Sequence, residues 1–345
     1  MGIYPSKKQG RKYQNTIPTG EVQPGDIIPM IRAYASNKAE VVPKKTLGPF
    51  KTDISIYQTP PKTGLRITWV GHSSLLIEID GRTILTDPVW SQRASMTQLM
   101  GPKRFFNPPL KLSELPPLDA IIISHDHYDH LDKATIEFFA ETTIPFYCSL
   151  GVGKYLERWG IVKNFITEMD WGDSVMIDHD LVITATPARH FSGRGIVGRN
   201  ETLWSSFVIK GPKHNIFYGA DSGYFPGFKE IGKTFGPFDL AMLEIGAYGQ
   251  YWPDIHMGPD NASNAFLDLN AQLMMPIHWG TFNLALHDWF EPIEKLLEYA
   301  AQKHIDLLVP KPGAPTDVDG PYNSNWWKMF LSTALTKEEK IIIFP

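Results

Sequence analysis

The sequence predicts an α/β (α+β) fold in which two mixed β-sheets pack on each other and helices cover their outer faces, a four-layer αββα sandwich. Three observations predict it. Short runs rich in Ile, Leu, Val and Thr come first as hairpins, and later runs alternate with helical segments. Residues 119–124 form a nearly continuous apolar run, as in a strand buried on both faces. The first strands are expected at 65–70, 74–79 and 83–86, with Asp80-Gly81 as the hairpin turn between the last two. Further strands are expected at 119–124, 144–148, 181–186, 204–209, 215–218, 240–245 and 273–276. Helices are expected at 133–141, 152–159, 226–235, 259–269 and 289–303. Pro259 suits a first helical turn, where its missing N–H costs nothing. Residues 1–63 read differently: Lys- and Arg-rich at first, then dotted with proline, with one short helix within 26–39. They are read as an arm packed on one domain spanning 64–345.

Composition narrows the function classes. With 43% apolar and 20% charged residues the chain is globular rather than disordered. A formal net charge of −4 provides no global basic field to draw it to nucleic acid. The lone Cys148 excludes an intrachain disulfide and a Cys-rich zinc site, so any metal must be held by His, Asp or Glu. No apolar run approaches the ~18 residues of a membrane span, and the N-terminus lacks the apolar core of a secretory signal. Met1-Gly2-Ile3-Tyr4-Pro5-Ser6 fits only the loose myristoylation pattern. The expected location is the cytoplasm or the membrane periphery, with an export signal removed from a precursor left open.

The decisive segment is Ser124-His125-Asp126-His127-Tyr128-Asp129-His130-Leu131-Asp132, which follows the buried run. Three histidines and an aspartate at His-x-His-x-Asp-His spacing can aim at one point from a strand-to-helix loop. Imidazole with carboxylate suits zinc, iron or manganese. A polar loop capping a helix would account for one such histidine but not for three.

This motif resembles the signature of the metallo-β-lactamase superfamily. The resemblance implies three more ligands, each after a strand: His190 in Pro187-Ala188-Arg189-His190, Asp221 in Tyr218-Gly219-Ala220-Asp221-Ser222-Gly223, and His278 in Pro276-Ile277-His278-Trp279-Gly280. Other blocks are similar to the phospholipases D that hydrolyse N-acylphosphatidylethanolamine. They include Thr86-Asp87-Pro88-Val89-Trp90, Met100-Gly101-Pro102-Lys103-Arg104-Phe105, Ile245-Gly246-Ala247-Tyr248 and Ile277-His278-Trp279-Gly280-Thr281-Phe282. This similarity covers about residues 65–296. Asp126 stands where the mammalian enzyme has Asn, at an "x" of the motif.

The resemblance implies two divalent metal ions, zinc first, with iron or manganese as alternatives. His125, His127 and His190 would hold one, Asp129, His130 and His278 the other, and Asp221 would bridge them. The implied nucleophile is a hydroxide shared by the metals. The residues expected to carry catalysis are Asp129, Asp221 and His256, the last standing where the phospholipase has a site histidine outside the metal shell. Asp87 is expected to orient a ligand. His72 either lines the site or serves as turn polarity. His179, His214, His287 and His304 are read as surface or packing residues. Residues 90–110 set Trp90, Leu99, Met100, Phe105 and Phe106 beside Arg93, Lys103 and Arg104. That mixture suits either a phospholipid surface or a loop packing its own aromatics.

The expected activity is therefore that of a metal-dependent phosphodiesterase on a phospholipid-like substrate; the alternative is a lactonase or other carboxylic-ester hydrolase of the same fold. A non-enzymatic scaffold would have lost an acidic ligand, yet Asp129 and Asp221 are both present. The expected partners are a small-molecule or phospholipid substrate, a membrane surface touched peripherally and a second copy in a homodimer, with no nucleic acid.

Overall fold

The computed structural model describes residues 5–20, 24–178, 180–195 and 197–331. Met1, Gly2 and His179 lie outside the described residues. The arm holds a hairpin, β1 (Lys7–Gln9) and β2 (Lys12–Gln14), and helix α1 (Ile27–Ser36). The first large sheet is built from β3 (Leu65–Gly71), β4 (Ser74–Ile79), β5 (Arg82–Thr86), β6 (Ala120–Ile123), β7 (Phe146–Ser149) and β8 (Ile166–Met169). The second is built from β9 (Ser174–Ile177), β10 (Leu181–Pro187), β11 (Ser205–Lys210), β12 (Asn215–Tyr218), β13 (Phe238–Glu244) and β14 (Ala271–Ile277). Short β15 (Leu308–Val309) and β17 (Tyr322–Asn323) pair with each other, and β16 (Thr316–Asp317) joins the first sheet beside β3. Helices α2 (Lys133–Phe138) and α3 (Gly153–Arg158) follow β6 and β7. Helices α4 (Gly227–Phe235), α5 (Gly258–Asp268) and α6 (Glu291–Lys303) belong to the second half.

Both sheets are mixed, as expected. β3, β4 and β5 pair antiparallel and β5 to β8 parallel; β9 to β12 pair antiparallel and β12 to β14 parallel. The two-residue period of a strand divides the core. On β4, Leu75, Ile77 and Ile79 enter the core between the sheets, while Leu76 joins an outer cluster with Ile136 of α2. On β6, Ala120 and Ile122 face inward, and Ile121 and Ile123 face the helices. The turn at Asp80-Gly81 takes positive φ at both residues (+49° and +86°), the geometry that matches the twist of the flanking strands.

The sequence reading missed β1, β2, β8 and β9. All four are short and carry charged or exposed positions, so their alternation is too weak to register. For residues 90–110, which the sequence left open between a lipid surface and a loop packing its own aromatics, the structure divides the side chains. Phe105 and Phe106 are buried, the latter edge-on to Phe50, and Arg104 is buried beside Phe106 and Phe282. The backbone of Phe105 donates to Thr281 O at 2.9 Å, which turns these rings inward. Met96, Leu99 and Met100 are the exposed apolar residues of the loop, at 72%, 86% and 75%. Among the described residues no helix is long and apolar enough to cross a membrane.

Candidate active site

The expected ligands gather at one edge, each just past the end of a strand: His125 after β6, His190 after β10, Asp221 after β12 and His278 after β14. Strand ends supply rigid anchors and loops supply the aim, which is why open α/β sheets bind ligands there. The backbone is unusual at this edge. His72, Asp87, Ala220, Ala247 and His278 all have positive φ without being glycine. Such conformations cost free energy and persist where surrounding structure fixes them. Two glycines allow the loops to meet: a Cβ on Gly246 would lie 2.1 Å from His278 O, and one on Gly223 would lie 1.7 Å from Asp254 O.

The donor atoms form two groups about Asp221. In the first, His125 Nε2 and His190 Nε2 lie 2.8 and 3.2 Å from His127 Nδ1, and 3.8 and 3.6 Å from Asp221 Oδ2. In the second, His130 Nε2 and His278 Nε2 lie 3.1 and 3.2 Å from Asp221 Oδ1, and 3.6 and 3.4 Å from Asp129 Oδ2. Each oxygen of Asp221 thus faces one group. His72, left open by the sequence, joins the second group, its Nε2 2.8 Å from Asp129 Oδ2.

Outer contacts fix the rings. Asp87 is fully buried and accepts from His130 Nδ1 at 2.7 Å, from Ser124 N and Oγ, and from Tyr218 OH. His190 Nδ1 donates to Ile255 O at 2.9 Å, leaving Nε2 for the cluster. The arm contributes as well. The Asn15 carboxamide pairs with both backbone groups of His190, accepting from its N–H at 3.0 Å and donating to its carbonyl at 2.8 Å. Arg189 donates to Pro18 O and Thr19 Oγ1, and Gly20 N donates to Asp254.

The electrostatics fit a cation. Burial drives His125 and His190 well below the usual imidazole range and His127 down to about 4, so all three are neutral donors. Burial also opposes charge on His130 and His278, but Asp221 and Asp129 outweigh it, lifting His130 well above its usual value and His278 to about 10. Asp129 and Asp221 are held well below the carboxylate range: burial would raise them, and His130 foremost overrides it. The carboxylates therefore demand positive charge, which protons supply when nothing else does. His130 Nε2, His278 Nε2 and Asp221 Oδ1 are also buried without a hydrogen-bond partner. Metal ligation would satisfy such orphaned atoms.

The sequence reading missed Glu244, the last residue of β13, which is fully buried. Its Oε2 accepts from His256 Nδ1 at 2.5 Å. Burial raises its pKa, with His256 opposing. His256 lines a cavity of about 500 Å³ that opens on His127, Asp129, His190 and Asp221. Phe191, Trp252, Ile255, Leu284 and Arg199 are among its other walls, and Asn15, Thr19, Gly20 and Tyr34 enter from the arm. Of the other histidines, His214 pairs with Asp80, His287 stacks on Tyr248 and His304 caps α6 in a left-handed conformation.

A metal-binding hydrolase cleft at the strand ends of an αββα sandwich defines a class, and the comparisons agree with it. Residues 82–279, more than half of the chain, match the family model of the beta-lactamase superfamily domain. The chain belongs to the metallo-β-lactamase superfamily and is a metal-dependent hydrolase of it. It is 44% identical over 303 residues to an uncharacterised protein of Mycobacterium tuberculosis, covering 86% of this chain and 79% of that one. It is 38% identical over 249 residues to N-acyl-phosphatidylethanolamine-hydrolyzing phospholipase D 1 of Caenorhabditis elegans, covering 69% and 70%. Igni18, a metallo hydrolase of the archaeon Ignicoccus hospitalis, shares the fold with a TM-score of 0.55 at 24% identity, covering 73% of this chain and 97% of that one.

Proposed function

We propose that the chain is a phosphodiesterase of phospholipase D type acting on N-acylphosphatidylethanolamine-like lipids, with two divalent ions, zinc first. The observation that carries this reading is the cavity. Donor atoms form its floor, apolar side chains (Phe191, Trp252, Ile255, Leu284) its walls, and the Arg199 guanidinium lies 4.3 Å over the Phe191 ring. A phosphate with an attached acyl chain needs that combination, a cation for the head and apolar surface for the tail. The likeness to the nematode phospholipase supports the same class.

His125, His127 and His190 would hold one ion, Asp129, His130 and His278 the other, and Asp221 both. Divalent ions in such a pair supply Lewis acidity, acidifying water and offsetting charge on the attacked phosphoryl oxygens. The chain's own groups do the rest. Asp87 and Ile255 O orient the rings of His130 and His190. His256, outside both groups, takes up at Nε2 the proton released by the attacking water and passes it on to the leaving-group oxygen. Arg199 draws the phosphate inward.

The test compares turnover of an N-acylphosphatidylethanolamine, bis-p-nitrophenyl phosphate and a simple lactone by the metal-loaded protein. The long-chain diester should be fastest. Each methylene buried contributes roughly 0.8 kcal/mol, and Leu99 and Met100, the most exposed of the three exposed apolar residues of the loop, would provide such contact. Replacing both by Ser should slow the long-chain diester and spare the short one. Lactone hydrolysis faster than both diesters would overturn the assignment in favour of an ester hydrolase.

A further inference from the structure

Glu244 has no role in the reading above, yet it is placed with care. It is wholly buried where an apolar or amide side chain would fill the same space without a charge to desolvate. Both of its oxygens are committed. Oε1 accepts from the backbone N–H of Ser222 at 2.8 Å, next to Asp221, and from that of Met257 at 3.3 Å, next to His256. Oε2 accepts from His256 Nδ1 at 2.5 Å. The carboxylate therefore cannot rotate away, and Nε2 remains as the other polar atom of a ring that lines the cavity.

We propose that Glu244 is a positioning residue for His256: it fixes the ring with a proton on Nδ1, so that Nε2 is the atom offered to the substrate. This deepens the phosphodiesterase reading and rests on it for the identity of that substrate. Glu244 acts on the reaction through His256, the imidazole it hydrogen-bonds, while His278 Nδ1 lies farther off at 3.8 Å; a carboxylate orients an imidazole and selects its tautomer without touching the reacting atoms.

The substitution Glu244→Gln tests this. The two amides at Oε1 keep the Gln carbonyl on their side, so its NH₂ faces His256 Nδ1. Nδ1 must then accept, and the proton moves to Nε2. The backbone frame survives while the tautomer reverses. Nitrogen NMR of the metal-loaded protein should show His256 protonated on Nδ1, and Glu244→Gln should reverse this. The kcat for bis-p-nitrophenyl phosphate should fall about 10- to 100-fold, with KM and metal content little changed. In a His256→Ala background, Glu244→Gln should have no further effect on kcat. An unchanged tautomer overturns the proposal. So does an equal loss on top of His256→Ala, because Glu244 would then act on the metal ligands or the fold. Absence of any diester turnover in the parent protein overturns the functional reading instead; the two failures are told apart because the tautomer is read without substrate.

Discussion

The two halves of the donor cluster share Asp221 but are built in opposite ways. Around His125, His127 and His190 the rings are neutral and their outer partners uncharged: Ser124 Oγ lies 2.9 Å from His125 Nδ1, and a peptide carbonyl accepts from His190. Around His130 and His278 carboxylates crowd in, with Asp129 and Asp221 in front and Asp87 behind His130. The first half offers three imidazoles and one carboxylate oxygen; the second, apart from His72, whose Nε2 is bonded to Asp129 Oδ2, offers two imidazoles and two carboxylate oxygens. A softer, nitrogen-rich set suits zinc, and a harder, more negative set accepts iron or manganese more readily. One cleft thus holds two electrostatic environments.

The largest test of this contrast is the shared residue. Asp221→Ala should abolish hydrolysis and leave less than one metal per chain, with far-UV circular dichroism unchanged. Loss of only one metal would show that the halves are independent. Next, Asp87→Asn should weaken metal binding about 10- to 100-fold in the His130 half, whose ring Asp87 touches directly, and less in the other half, which it reaches only through Ser124 Oγ and His125, read by competition with a chromogenic chelator. Equal weakening of both halves would break the distinction.

The pH dependence of the metal-free protein sharpens it further. The His125, His127 and His190 values lie below the unfolded 6.5, so the unfolded chain binds more protons and stability falls as pH drops from about 6.5 through the His127 value of about 4. His278 and His130 are raised, so their contribution is full below about 6.5 and is lost as pH rises through the His278 value of about 10. Thermal scans should show melting fall on both sides, and metal loading should flatten the alkaline side. A flat alkaline side without metal would mean that the second half carries no such charge. The smallest expected effect is that of Asn15→Ala. It unpairs the His190 peptide, costs about 1–3 kcal/mol and should reduce first-half metal affinity only a few-fold.

The sequence revealed the donor cluster better than the residues that surround it. His125, His127, Asp129 and His130 were legible because they crowd one loop after an apolar strand, whereas His190, Asp221 and His278 were named only because the family resemblance implied further ligands, and each does follow a strand of its own. Glu244 was not, since a lone Glu at a strand end looks like the solvated end of that strand. Its one signal was a carboxylate flanked by Leu243, Ile245 and Gly246 inside an apolar run. Phe105 and Phe106 were ambiguous for another reason. Aromatics beside cations read alike whether they face lipid or core, and what turns them inward is a contact with Thr281, far along the chain. Asn15 gave no local sign, because its partner His190 lies 175 residues away.

That separation has a consequence for biosynthesis. Asn15 and Gly20 emerge from the ribosome long before their partners at His190 and Asp254, the latter 234 residues later. At ordinary elongation rates of ~5–20 residues per second the arm must wait on the order of ten seconds or more. The wall that these residues contribute to the cavity is therefore among the last parts to close, so a nascent chain stalled before Asp254 would expose an unfinished cleft to whatever metals and lipids surround it.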